Sequence, residues 1–426
     1  MNSLFNKDLW KEILQSITSN GFRTIITSFG VFWGVFILIL LLCASNGLKN
    51  GIENSFSGIS TNSIFIWAQG VSMEYKGLPK NREYNFKMQD AQAIRNNIKG
   101  LKTVSPRNQL GGWGVSNTIT HNLNEGSFTV MADFPEILEQ KSLIMEQGRF
   151  INYNDIEHNK KNVVIGWAII DELYEKGEEV IGSYIKIQGV SFKVVGVYKD
   201  ISMQGKRQIE EQKYIHVPFS TFTQVFNEGD KVRFFHITAN DNQSISEIKE
   251  SIFSLLRKRH SIHPKDDRAI GNFDLNKFFT KFGMLFLTLK IVSYFVGILI
   301  LFSGIIGISN IMLIVIKERT NEIGVRRALG ATPGNIRKQI LLESLFLTII
   351  SGMTGVSLAA LISYLINLQL DSQDPATSES LLYNPSVDLV TIITVLIILV
   401  ISGLIAGFIP AQTAIKIKPI EALRTE

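Results

Sequence analysis

Residues 291–316 read IVSYFVGILILFSGIIGISNIMLIVI, a run with no Asp, Glu, Lys, Arg or His. A helix needs about 20 apolar residues to cross the hydrocarbon core of a bilayer. This stretch is long enough to do so. Its apolar character reaches back through Phe282–Leu289, and Lys290 is the one charge before Lys317. Residues 282–316 would make roughly 50 Å of helix, more than the bilayer is thick. The expectation is a helix that starts outside as a stalk and then enters the membrane. Lys290 would sit near the outer interface, where its ammonium can reach water.

Three further blocks lack charged residues: Thr24–Leu48, Ser344–Leu370 and Leu389–Ile415. Four such blocks exclude an ordinary soluble protein and predict four transmembrane helices. Orientation follows from the Lys and Arg in short flanks. The loop after the second block carries Lys317, Arg319, Arg326, Arg327, Arg337 and Lys338, the tail Lys416, Lys418 and Arg424, and the leading flank Lys7, Lys11 and Arg23. The loop 371–388 has acids but no Lys or Arg. Both termini and the 317–338 loop are therefore expected in the cytoplasm, with the large section between the first two spans outside. The first span is expected to be an uncleaved anchor, because its apolar run starts late and is too long for a signal peptide. Residues 1–23 place Leu4, Phe5, Leu9, Ile13 and Ile17 near one face, as an interfacial helix would.

The section 49–281 is long enough to bury its own core. Strand-like and helix-like runs alternate in it. Ser63–Trp67, Val163–Ile165, Tyr214–Val217 and Val232–Thr238 have β character, and Tyr184–Val197 alternates about Gly189 as a hairpin does. Lys87–Ile98 and Ser244–Arg259 have helical spacing, so the class is α+β. The single cysteine, Cys43, rules out an intrachain disulfide and falls in an apolar block. His121, His158, His216, His236, His260 and His263 are scattered without partners at ligand spacing, so no metal site is expected. Nothing resembles a catalytic constellation, and nothing points to nucleic acid. No Gly-x-x-x-x-Gly-Lys-Ser/Thr loop occurs in the 426 residues, so no phosphate cradle is encoded.

The loop KERTNEIGVRRALGATPGNIR, 317–337, is the most informative segment. It predicts a charged helical hairpin beneath the membrane. Glu322 and Arg326 form an i,i+4 pair in the favourable order. Ile323, Val325 and Ala328 offer a partly apolar contact surface. Gly330 is placed to end the first helix, and Thr332-Pro333-Gly334 to cap and start the next. A turn made only to hold anionic lipid would explain the basic residues, but not the interleaved acids, glycines and apolar residues.

This loop resembles the signature of the MacB/FtsX-like permease family of ABC transporters, at Glu318, Arg319, Thr320, Glu322–Gly324 and Arg326–Thr332. Gly307–Met312 and Gly407–Arg424 are also similar. Outside the membrane, Gly148–Asp155, Val163–Leu173, Gly182–Gly196 and Tyr214–Pro218 look like the MacB-type domain, more loosely. The resemblance implies that the outer domain has two lobes. One is membrane-proximal, about 50–112 and 225–281, and the other is inserted, about 113–224. The expected class is thus membrane α-helical with four transmembrane helices plus an α+β extracytoplasmic domain with two lobes.

The divisions are an interfacial helix 1–23, spans 24–48, 282–316 (with the stalk), 341–370 and 389–412, a coupling loop 317–340, an outer loop 371–388 and a tail 413–426. The resemblance further implies a non-enzymatic permease working by mechanotransmission, with ATP and Mg bound by separate ABC ATPase subunits. Glu318, Arg319, Glu322, Ile323, Gly324, Arg326, Arg327, Ala328, Leu329, Gly330 and Ala331 would couple to that ATPase. A second permease, like or unlike, membrane lipid, and a periplasmic adaptor with an outer-membrane channel are the other implied partners. The cargo would be a peptide, antibiotic, lipid or lipoprotein. An FtsX-like regulator of a cell-wall hydrolase and a stand-alone receptor or scaffold are the alternatives, and the long outer domain weighs against the first.

Overall fold

The computed structural model describes residues 21–56, 58–200, 210–372 and 381–417. The expected interfacial helix before residue 21, residues 373–380 of the outer loop and the tail beyond 417 lie outside them. The chain enters on α1, Gly21–Ser55. This helix outruns its apolar block and continues through Lys49 and Glu53, because a helix satisfies its own backbone in lipid or in water.

Ile52–Met284 forms a compact unit. In chain order it contains β1 (Ser63–Ala68), β2 (Phe86–Lys87), α2 (Met88–Asn97), β3 (Leu101–Gln109), β4 (Asn117–His121) and β5 (Asn124–Asp133). Next come α3 (Ile137–Gln140), β6 (Leu143–Gly148), α4 (Tyr153–Glu157), β7 (Asn162–Gly166), α5 (Ala168–Leu173), β8 (Tyr184–Ile187) and β9 (Val190–Asp200). It ends with β10 (Tyr214–Pro218), α6 (Phe219–Val225), β11 (Lys231–Val232), β12 (Phe234–Ala239), α7 (Ile245–Arg259) and β13 (Ile270–Asp274).

The strand order is β10-β7-β9-β8-β4-β5-β3-β12-β1-β13, with β6 on β9. β10 also pairs in parallel with β5, from Tyr214 opposite Thr129 to Pro218 opposite Asp133. Strands β4, β5 and β7–β10 therefore close into a barrel. Inward residues alternate along them, as the pleat requires: Ile185 and Ile187, Phe192 and Val194, Ile215 and Val217, Phe128 and Val130 are all buried. The β8–β9 hairpin turns on Gln188 and Gly189, both with positive φ (47° and 81°), the conformation a two-residue hairpin loop needs.

β3 serves two neighbours. Leu101–Arg107 lie against β12, whereas Asn108 and Gln109 lie against β5. The sheet β3-β12-β1-β13 thus runs into the barrel through one strand. Helices α2 and α7 cover that sheet. Ile245, Ile248, Ile252 and Leu256 recur at helical spacing along α7 and bury against the same core as Ile64, Ile66 and Phe235.

The other unit comprises the membrane helices and their connections. Here α8 is Leu275–Glu318, α9 Thr320–Ala328, α10 Pro333–Asp371 and α11 Leu389–Ile415. Among the described residues, α1, α8, α10 and α11 are the four helices long and apolar enough to cross a membrane. The second-span helix begins at Leu275, directly after β13, rather than at Phe282, and at 44 residues would be roughly 66 Å long. Lys290 is exposed on it. The third begins at Pro333 rather than 341, so the second arm of the hairpin is the inner end of span three.

Without a hydrophobic drive in lipid, membrane helices associate by close packing of small residues. A methyl carbon on Gly304 of α8 would lie 2.6 Å from the Val31 nitrogen and 2.8 Å from the Gly30 carbonyl carbon of α1. One on Gly355 of α10 would lie 2.7 Å from the Phe32 oxygen, and one on Gly403 of α11 3.0 Å from the Leu345 Cα. Val31, Val35, Leu38, Leu42, Leu301 and Leu399 fill the seams beside these contacts.

Candidate functional site

The hairpin between α8 and α10 has well-defined joints. The chain leaves α8 at Glu318 and enters α9 through Arg319. At the far end of α9, Ala331 N–H donates to Arg326 O (3.0 Å) and Gly330 N–H to Arg327 O (3.2 Å), with Gly330 at φ 99°. This paired closure satisfies carbonyls the helix leaves open, and it needs a residue without a Cβ. Thr332 then caps α10 by accepting from the Asn335 N–H (3.3 Å), with Pro333 in the first turn.

One ion pair and one hydrogen bond tie α9 and its leading joint to α10, and two ion pairs brace them internally. Arg319 Nε lies 3.2 Å from Glu322 and its Nη1 3.8 Å from Glu343. Arg326 lies 3.9 Å from Glu322, and it donates to Gln339 Oε1 on α10 (3.2 Å). Met312, Ile316, Ile323 and Ile340 line a cavity of about 40 Å³ behind these groups. Arg327 turns the other way and donates to the carbonyls of Ile415 (3.0 Å) and Ile417 at the end of α11. Those carbonyls have no partner within the helix, so a guanidinium is well placed there.

The expected residues thus separate into groups. Arg319, Glu322, Ile323 and Arg326 come together on the cavity. Arg327 anchors the hairpin to α11, and Gly324 is buried. Glu318, Ala328, Leu329 and Gly330 are exposed and Ala331 is half-buried. The expected apolar surface of Ile323, Val325 and Ala328 is corrected in one member. Ile323 faces the packed interior, and Leu329, 83% exposed, joins Val325 and Ala328 outside. Sequence reasoning missed Glu343 and Gln339, which lie past the charged loop. An acid standing directly before the charge-free run Ser344–Leu370 is the signal that could have found Glu343.

The extracytoplasmic domain holds a second polar constellation, at the strand shared by sheet and barrel. Arg107 donates from Nε and Nη2 to Asp133, and His216 Nδ1 lies 2.6 Å from the same carboxylate. All three are buried. Burial would raise the Asp133 carboxyl, but Arg107 and His216 outweigh it and hold the group below the usual carboxylate range. Burial, reinforced by Arg107, pushes His236 well below an ordinary imidazole. Among the described residues no group of His, Cys, Asp and Glu is arranged to hold a metal ion.

Two family models match the chain. That for the MacB-like periplasmic core domain covers residues 24–254, and that for the FtsX-like permease C-terminal domain covers residues 294–419. The macrolide export ATP-binding/permease protein MacB of Bdellovibrio bacteriovorus is 28% identical over 413 residues, 97% of this chain and 61% of that protein. The chain therefore spans about three fifths of that relative's length. An uncharacterized ABC transporter permease of Methanocaldococcus jannaschii is 27% identical over 95% of this chain and 94% of its own length. The crystal structure of the periplasmic region of MacB from Actinobacillus actinomycetemcomitans aligns with 55% of this chain and 97% of that one, at 16% identity and a TM-score of 0.42.

Proposed function

This chain belongs to the family of ABC transporter permeases that carry a MacB-like periplasmic core domain, and on that premise we propose that it is the mechanotransmitting membrane subunit of an exporter. The proposed orientation places both termini and the α9 hairpin in the cytoplasm, where Lys and Arg concentrate in the short flanks. ATP hydrolysis falls to an ABC ATPase engaged at the hairpin, as the family implies, and these 426 residues contain no phosphate-binding loop of their own. The cargo is a peptide, antibiotic, lipid or lipoprotein, by analogy with relatives named for macrolide export. A second permease completes the dimer, and a periplasmic adaptor with an outer-membrane channel receives the cargo.

The observation that carries this reading is the build of the hairpin. Val325, Ala328 and Leu329 are exposed on a helix whose opposite side is fixed by Ile323, Arg319 and Arg326. A small exposed apolar face on a rigid backing is what a docking knob requires, because little is lost in ordering it on binding. The continuous α8 then links the hairpin to the β13 end of the outer domain.

The test is copurification of the ATPase in mild detergent. Leu329→Asp should abolish capture while membrane insertion and yield hold, and Glu322→Lys should weaken it. Undiminished capture by Leu329→Asp would remove the docking role from this face.

A further inference from the structure

Glu343 lies on α10, beyond the charged loop, and is 5% exposed. It is followed by Ser344 and Thr348, both fully buried. A carboxylate in such a place costs several kcal/mol unless it is paired. Its cationic neighbour is Arg319, at 3.8 Å. Arg319 occupies the joint between α8 and α9, and it also holds Glu322 in the first turn of α9. One guanidinium therefore links the end of the second span, the start of the hairpin and the third span. Ile323 packs in the same core, and Arg326 reaches Gln339 one turn before Glu343. Arg319, Glu322, Arg326, Gln339 and Glu343 form the polar wall of the cavity of about 40 Å³ whose other wall is Met312, Ile316 and Ile340, so the joint is not tightly packed around the ionic tie.

We propose that Glu343 is a positioning residue. Through Arg319 it fixes the hairpin on α10, so that hairpin and span three move as one body. Displacement of the hairpin is then delivered to α10 as well as to α8. Without the tie, α9 would swing about Gly330 and absorb the displacement. This inference rests on the reading of the hairpin as the ATPase contact.

The experiment has two readouts. In a Cys43→Ser background, nitroxide labels on Asn321→Cys and Ile350→Cys report the hairpin's position relative to α10 without any ATPase. Glu343→Gln keeps the shape and removes the charge, so it should broaden that distance distribution. In the complex with the copurified ATPase, Glu343→Gln and Arg319→Gln should each lower permease-stimulated ATP hydrolysis, per ATPase captured, by about fivefold or more. The double variant should be no worse than Arg319→Gln alone, since Glu343 acts through that guanidinium. An unchanged distance distribution overturns the proposal, and so do unchanged stimulation or fully additive losses. If even the parent chain captures no ATPase, the docking reading fails, and the label distances alone then decide whether the tie exists.

Discussion

Asp133→Asn tests how the extracytoplasmic domain is held together where its sheet meets its barrel. The carboxylate accepts from Arg107 Nε, from Arg107 Nη2 at 3.0 Å and from His216 Nδ1 at 2.6 Å. Asparagine keeps the shape but removes the charge facing a guanidinium that does not deprotonate in proteins. Removing one partner of a buried pair costs about 3–5 kcal/mol, because the other charge is left uncompensated. A domain of this size shifts by about 2–4 °C per kcal/mol, so its melting temperature should fall by roughly 6–20 °C. The assay is thermal unfolding of the full chain in detergent, followed by tryptophan emission. Trp67, Trp113 and Trp167 lie in this domain. Arg107→Met with Asp133→Leu removes both charges together and should recover most of the loss, apart from about 1–3 kcal/mol for leaving His216 without its acceptor. Melting of Asp133→Asn within about 2 °C of the parent would refute the reasoning, as would a double variant less stable than the single one.

Two further outcomes follow. The domain should lose stability in two steps as pH falls. Unfolded His236 takes up a proton below about 6.5 while the folded residue, held low by burial, does not, so stability declines from there. Asp133 and Asp90 are also held low, Asp90 by His260 and Arg259 against the effect of its burial. Their stabilisation persists above about pH 4 and is lost as pH drops further. Denaturant titrations across pH 8 to 3, at roughly unit steps, should show both stages, and His236→Phe should remove the first. In the membrane unit, Gly304→Ala should destabilise the detergent-solubilised chain by about 1–3 kcal/mol, since its methyl would press on the Val31 and Gly30 backbone. Gly307→Ala is the control, as a methyl there meets nothing within 4 Å. Equal thermal aggregation of the two would refute the close approach of α1 and α8.

The membrane spans were legible because transfer into lipid is a property of composition, and Ile291–Ile316 has nothing that lipid would reject. Their helical ends were not legible. The helices continue through polar residues, such as Lys49–Ser55 and Pro333–Ile340, because hydrogen bonding rather than hydrophobicity decides where a helix stops. The joints of the hairpin could be read from Gly330 and from Thr332-Pro333, where backbone geometry restricts the residue. Partners distant in sequence could not. Nothing near Arg327 in the chain announces the carbonyls of Ile415 and Ile417. Strand β3 escaped for a related reason. Pro106, Arg107, Asn108 and Gln109 are buried polar or ring residues, and they serve a crossing between sheet and barrel that no alternating pattern marks.

The parallel pairing of β5 with β10 has a consequence for recognition. Strands of an open sheet present bare amides and carbonyls along their rims, and an extended peptide can add itself there as one more strand. Closure uses up those groups within the barrel. Away from the outer edge of β6, which pairs only with β9, a molecule engaging the barrel is therefore recognised by side chains and loops, such as the exposed Trp113 beyond β3, the Leu123 turn or Tyr184. Selectivity there would depend on the shape and polarity of the visitor, and it could diverge by loop substitution without disturbing the barrel's own hydrogen bonds.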